Sequence, residues 1–547
     1  MRNDRNRNHR PLLLGLALAL AVMPPLCALP VQADRQDVLR DALGRALDDV
    51  GDRIDINGRS IPTDRMKDFY SQRSLAPLWI GPSGFNDRAK LIVAAFRGSV
   101  RDGLAPENYI LEVPALLSRS AAEMARRELL MSAALTRYAL DIRNGRVAPR
   151  MVDPLRTNAK AAIDPVAVLT GAAAAPDLSV YLDHLAPSHI VYSDLRRVLW
   201  QYRQLEAAGG WPLVPDGPKL ELGATDTRVA VLRQRLRVTG DLTVIDPADP
   251  NHFDAGLEAG VKAFQKRHGL EPDGVVGRQT LAALRVSAEA RVHQIIVNME
   301  RWRWMPDGLG DPHILVNMAG FELDLIENDK VALKMRVVVG RPYRQTPDLS
   351  SHVTYLVLNP YWNVPRSIAV KDILPKVQDD PFYLVDQGLR VYDGWQNGVE
   401  VDPLMIDWWS LSDASFSYRL RQDPGPKNAL GRIKFMFPND HAVYLHDTPS
   451  RALFLKSVRT LSSGCIRVEE PLALAERLLN GSQGWTLAAI RRAIASGETT
   501  SVRLQKPVAV HLVYLTAWAG EEGTVQFRHD IYGRDKKLAA ALFGDDP

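Results

Sequence analysis

Two residues of this chain combine in type and spacing to suggest chemistry. His446 sits in Tyr444-Leu445-His446-Asp447-Thr448-Pro449, and Cys465 follows 19 positions later in Leu461-Ser462-Ser463-Gly464-Cys465-Ile466-Arg467-Val468. A thiol attacks only as thiolate, and its ordinary pKa of about 8.5 leaves little of that form at neutral pH. A neighbouring imidazole that accepts the proton is the simplest activator, which makes His446 the candidate base and Cys465 the candidate nucleophile. Ser463-Gly464 supplies a flexible turn, and the amides around Gly464 and Cys465 can form an oxyanion hole. His441 is a poor substitute base, because five positions along one strand put it on the opposite face.

Most of the neighbours admit two readings. Arg467 is either a clamp for a substrate carboxylate or a structural ion-pair partner. Tyr444 shares a strand face with His446 and lines the expected pocket. Trp362, in Asn359-Pro360-Tyr361-Trp362-Asn363, is an apolar wall beside the substrate or a buried aromatic. Trp408-Trp409 is part of a substrate-covering lid or of core packing.

The elements that must position these residues are legible in the hydropathy pattern. From Ile314 onward the period is two, with strand-like runs at 314–317, 321–325, 335–339, 355–358, 433–437 and 441–445, and turns such as Glu327-Asn328-Asp329-Lys330. A mostly antiparallel sheet is expected, interrupted by an inserted capping subdomain at about 367–422. Upstream, residues 34–215 read as a helical scaffold, with helical spacing at 89–96, 121–138 and 192–204. A Pro- and Gly-rich linker at 209–219 then leads into a three-helix unit at 220–287. In its second helix Val261 and Phe264 face inward, with Lys262, Gln265 and Lys266 left to solvent. The fold class is therefore α+β and multidomain, with a mainly β catalytic domain over 295–547. His184 and His189 flank a proline and point to different helix faces, so no metal site is expected there.

Two resemblances follow from these motifs. Phe264-Gln265 with Asp273-Gly274-Val275-Val276-Gly277 and Thr280-Leu281 resembles the peptidoglycan-binding domain type 1 family. His446 followed by Ser462-Ser463-Gly464-Cys465-Ile466-Arg467 resembles the L,D-transpeptidases with a YkuD-type catalytic domain. Many members have His before the Gly, where this chain has Ser463, leaving a backbone carbonyl near Ser463 as the expected partner orienting His446. The order of scaffold, wall-binding unit, catalytic domain with insertion, and aromatic tail at 513–533 is similar to the large periplasmic YcbB-type members. That resemblance implies attack of Cys465 on the L,D bond after meso-diaminopimelate in a peptidoglycan stem, release of D-Ala, and a cysteinyl thioester. A second diaminopimelate amine then yields a 3-3 cross-link. It also implies acylation by carbapenems, no metal and no cofactor, and partners comprising donor tetrapeptide stems, an acceptor amine and other cell-wall synthesis proteins. With water as acceptor the same thioester gives an L,D-carboxypeptidase or endopeptidase. A non-catalytic peptidoglycan-binding protein is the third reading.

The N-terminus fits an exported chain. Arg2, Arg5, Arg7 and Arg10 precede an apolar run at 12–23, and Val31-Gln32-Ala33 offers small residues for cleavage, so residues 1–33 read as a signal peptide and the destination as the periplasm. That leader carries four arginines against Asp4, and without it the formal charge falls from +4 to +1. No clustered basic face remains, which excludes nucleic acid as a partner. Cleavage also removes Cys27, one of two cysteines in the 547-residue sequence, leaving Cys465 as the sole thiol of the mature chain. No later segment is apolar enough to span a membrane.

Overall fold

The architecture comes from a computed structural model, which describes residues 30–81, 84–110, 120–156, 160–243, 248–395, 398–520 and 523–544, with side chains from residue 36. The expected leader and Cys27 lie outside the described residues, apart from the backbone of 30–33.

The scaffold forms as helices Asp87–Gly98, Ala121–Asn144 and Ile190–Ala207, each longer than its apolar pattern, with Asn86 and Ser120 capping the first two N-termini. Glu128 is buried among them, and its carboxylate accepts the Leu78, Trp79 and Ile80 amides and the Tyr70 hydroxyl. The three-helix unit consists of helices Thr227–Val238, Ala255–Arg267 and Arg278–Leu284 around Val229, Leu232, Phe264 and Leu284. Gln265 is a correction to the expected pattern. It is buried, donating to Asp273, the Val275 carbonyl and Thr280 while accepting the Gly274 amide. The Phe-Gln signature thus builds the turn, because a planar amide with donors and an acceptor can close several backbone groups at once.

Helix Ala288–Arg303 joins the units and is buried on nearly every side, as a helix passing through a core must be. The main sheet begins ten residues later. Strands Lys330–Gly340, Ile466–Val468, Leu445–His446, Ile433–Met436, Leu349–Leu358, Thr500–Val513, His313–Asn317 and Glu322–Glu327 pair in that order, and Glu322–Glu327 pairs back onto Lys330–Gly340. The ladder therefore closes on itself and leaves its interior to Val316, Leu356, Leu358, Phe435, Leu445, Ile466 and Val510. Most pairs are antiparallel, as expected; Leu445–His446 with Ile466–Val468 and Thr500–Val513 with His313–Asn317 run parallel. Asn328 and Asp329 both adopt positive φ, the backbone a two-residue hairpin requires.

The run at 441–445 is mostly not a strand. Residues 439–443 form a loop that Asn439 closes, donating to the Phe437 and Val443 carbonyls and accepting the His441 and Val443 amides. Between Leu349–Leu358 and Ile433–Met436 the insertion folds around its own core of Val364, Val377, Leu389, Val391, Trp408 and Leu420, with a four-stranded sheet that takes in Trp362–Asn363. After Thr500–Val513 the tail leaves the main sheet. Its hairpin, Ala517–Ala519 with Val525–Phe527, packs into the helical core of the scaffold.

Candidate active site

Three neighbouring strands set one face of the closed sheet. Lys434 is paired with His446 across the antiparallel ladder, and His446 with Arg467 across the parallel one. Ile433, Phe435, Leu445, Ile466 and Val468 all enter the core, so by strand alternation Lys434, Tyr444, His446, Cys465 and Arg467 share the opposite side. Two register steps before the His446–Arg467 pair, Tyr444 comes level with Cys465. There the Tyr444 amide and hydroxyl both favour the ionised sulfur.

His446 is buried and its Nδ1 lies 2.5 Å from the Asp447 carbonyl oxygen. A carbonyl only accepts, so Nδ1 carries the proton and Nε2 the lone pair. The expected orienting carbonyl near Ser463 is replaced by that of the next residue, which the end of a two-residue strand turns back toward the ring. Burial, then the Arg467 and Lys434 charges, push His446 down to about 3, keeping the imidazole neutral. Burial pushes the Cys465 thiol up, opposed by the Tyr444 amide and hydroxyl and by the positive Lys434 and Arg467.

The turn carrying the nucleophile is held on every side. Gly464 has φ +117°, a conformation that favours glycine. Its amide donates to Ser462 Oγ at 3.2 Å, and the same hydroxyl donates to the Cys465 carbonyl at 2.6 Å. Of the two amides expected to face an oxyanion, Gly464's is thus engaged. The Cys465 amide has no acceptor among the described residues. Ser463 Oγ accepts from Arg344 at 3.0 Å, and Arg344 also pairs with Asp372 of the insertion. Thr346 donates to the Gly464 carbonyl at 2.8 Å.

The loop behind this turn is tied to distant parts of the chain. Gly340 lets it fold back closely, since a Cβ there would meet the Arg344 carbonyl at 2.2 Å. Tyr532 of the tail donates to the Gly340 carbonyl at 2.7 Å, and Arg534 donates to the Thr346 carbonyl at 3.1 Å. From the scaffold, Arg156 forms a buried ion pair with Asp348 at 2.6 Å. Leu155 offers its carbonyl to His441 Nε2 at 2.5 Å, fixing the loop whose Ala442 carbonyl stands 3.9 Å from the thiol.

Arg467 has a buried Nε without a hydrogen-bond partner and forms no ion pair among the described residues. Trp362 packs against the insertion's core, and Trp408 is buried there with its indole donating to the Pro403 carbonyl at 2.7 Å, while Trp409 is exposed. No group of three or more His, Cys, Asp or Glu able to hold a metal occurs among the described residues. Sequence reasoning missed Lys434, Arg344, Thr346 and the Asn439 loop. For Lys434 a signal existed, a charged residue alternating with core positions in Ile433-Lys434-Phe435.

Comparison with known proteins adds a family to this geometry. Residues 311–490 match the model of the YkuD L,D-transpeptidase catalytic domain, 225–284 that of a peptidoglycan binding domain, and 64–199 that of a scaffold domain. A Haemophilus influenzae protein that carries the L,D-transpeptidase name is 39% identical over 269 residues, 48% of this chain and 53% of its own length. The chain thus spans about half the length of that curated relative. A crystal structure of an L,D-transpeptidase from Xylanimonas cellulosilytica aligns at 18% identity and TM-score 0.17, covering 55% of this chain and 99% of the other. One from Stackebrandtia nassauensis aligns at 13% and 0.20, covering 55% and 96%. Likenesses of that degree carry no weight for fold or chemistry.

Proposed function

We propose, for a chain that belongs through its catalytic domain to the L,D-transpeptidase family, that Cys465 acylates itself with peptidoglycan stem peptides and passes the acyl group to an amine. His446 Nε2 takes the thiol proton, and the thiolate attacks the carbonyl carbon after meso-diaminopimelate. The tetrahedral oxyanion accepts the Cys465 amide. Collapse breaks the C–N bond to D-Ala, whose amine leaves with the proton returned from His446, and a thioester remains. The side-chain amine of a second diaminopimelate then attacks the thioester carbon, loses its proton to His446 and frees the thiol, giving a 3-3 cross-link.

The observation that carries this reading is the shared strand face of His446 and Cys465, with Nδ1 of the base committed to the Asp447 carbonyl. Arg467, with an unsatisfied donor on that face, binds a stem carboxylate. Tyr444 orients the sulfur, and Ser463, held by Arg344, shapes the turn. Carbapenems acylate the same thiol. The chain acts in the periplasm, reached through the leader at 1–33; the leader's charge and apolar pattern support this, and among the described residues no helix is long and apolar enough to cross a membrane. The three-helix unit holds the wall strand near the site, and other cell-wall synthesis proteins work beside it.

The test is incubation of the protein lacking residues 1–33 with purified tetrapeptide stems, followed by mass spectrometry, in parallel with Cys465→Ala. Cross-linked dimers that have lost D-Ala, absent with the variant, are expected. Tripeptide without dimers moves the assignment to an L,D-carboxypeptidase, and equal activity of the variant removes the mechanism.

A further inference from the structure

Lys434 has no part in the reaction as derived, yet its placement is costly. It is half-buried on strand Ile433–Met436, in register with His446, and its ammonium lies 3.7 Å from the centre of the Tyr444 ring. That ring belongs to the residue that stands level with Cys465 across the parallel ladder. Among the described residues no carboxylate pairs with Lys434. A partly dehydrated cation without a counter-charge is retained at a cost that an apolar residue would avoid at the same position. Burial lowers the Lys434 pKa, and the Cys465 thiolate is the group that holds it up.

The other charged groups around the sulfur leave that task open. Arg467 shares the strand face and Arg341 lies beyond it; Arg344 is reached through Ser463. Asp372 neutralises the two far arginines, from which it stands at 4.0 Å to Arg341 and in direct contact with Arg344. Tyr444 is kept neutral by burial and by the sulfur's charge. His446, pushed down to about 3, holds a proton too briefly to serve as a lasting cationic partner of the thiolate.

We infer that Lys434 is the resident counter-charge of the Cys465 thiolate, held against the Tyr444 ring so that its ammonium stabilises the sulfur once the proton has left for His446. This rests on Cys465 as the nucleophile and deepens that reading. Lys434 acts here as a positioning residue for charge, with no covalent part. The ring interaction keeps the long side chain over the site, since an ammonium is drawn to the negative face of an aromatic. An opposite charge within about 4–6 Å shifts an ionisable group by about one to three pKa units toward its charged form.

The test is the pH dependence of Cys465 alkylation by iodoacetamide, which reads the thiolate and needs no turnover. Lys434→Met is expected to move the midpoint upward by about one unit or more, slowing alkylation at neutral pH by about tenfold. Lys434→Arg restores it to within about threefold of the parent. An unchanged midpoint in a folded Met variant overturns the inference. Because coupling between two sites is reciprocal, a second measurement uses the intact lysine. Titrated by NMR after isotopic methylation, Lys434 should have a lower pKa in Cys465→Ala than in the parent, and equal values overturn the inference even if the Met variant does not fold. Failure of either arm leaves the tetrapeptide assay unaffected, so the two readings fall separately.

Discussion

His446 gives its Nδ1 proton to the Asp447 carbonyl at 2.5 Å, which leaves Nε2 as the basic nitrogen of a ring kept neutral by burial and by two cations. The relationship separates two properties often combined in a catalytic histidine. Its tautomer is fixed by the backbone of the next residue, and its basicity is set by burial first and then by Arg467 and Lys434 on the flanking strands.

The pH dependence of acylation follows. With His446 at about 3 and the thiol above its ordinary range, kcat/KM for the acylation step should rise through neutral pH without an inflection near 6.5. A stopped-flow pH profile with a chromogenic carbapenem reads this, and an acid limb centred near 6.5 would show an ordinary histidine. His446→Gln should lower the rate by about 10²–10⁴.

Stability has its own pH window. A histidine whose folded pKa is depressed binds fewer protons folded than unfolded, so its contribution is complete above 6.5 and is lost as pH falls toward 3. At pH 5 the loss from His446 alone is about 2 kcal/mol. His511, pushed to about 4 by burial, adds in the same direction. Urea melts at pH 7 and 5 should show the drop, smaller in His446→Gln.

Two glycines of the site are glycine for different reasons, and alanine separates them. Gly340→Ala puts a Cβ 2.2 Å from the Arg344 carbonyl, so the 341–346 loop must move and alkylation of Cys465 should change. At Gly464 the nearest atom is 3.8 Å away, and the cost lies in φ +117°, about 1–3 kcal/mol. Thermal melts with alkylation rates distinguish a displaced loop from a strained turn.

The buried pair Arg156–Asp348 fixes the scaffold to the catalytic domain. Asp348→Ala should cost about 3–5 kcal/mol by leaving a buried guanidinium without its carboxylate, and Arg156→Met in the same chain should recover much of it. Equal stability of single and double variants in urea would place the loss elsewhere.

The strand periods from Ile314, the hairpin at Asn328-Asp329 and the helices of the scaffold were legible in the sequence because hydropathy period is a local property. So were His446 and Cys465, whose residue types announce their chemistry. What could not be read was set by contacts distant in sequence. Gln265 looked solvent-facing from helical spacing, yet a turn eight residues on requires its amide. Residues 441–445 alternated like a strand, but the Asn439 side chain closes them into a loop. Lys434 gains meaning only where two other strands bring Tyr444 and Cys465 beside it. The tail reads as one stretch, although it leaves the sheet after Val513 to join the scaffold core.

The central claim, that Cys465 carries the acyl group, is tested most directly by intact-protein mass spectrometry after brief mixing with tetrapeptide stem, followed by peptide mapping. The account predicts an added mass equal to the stem without its terminal D-Ala, on the peptide holding Cys465 and removed by hydroxylamine. An adduct mapped to any other residue, or a Cys465→Ala variant that acquires the same mass, would contradict it.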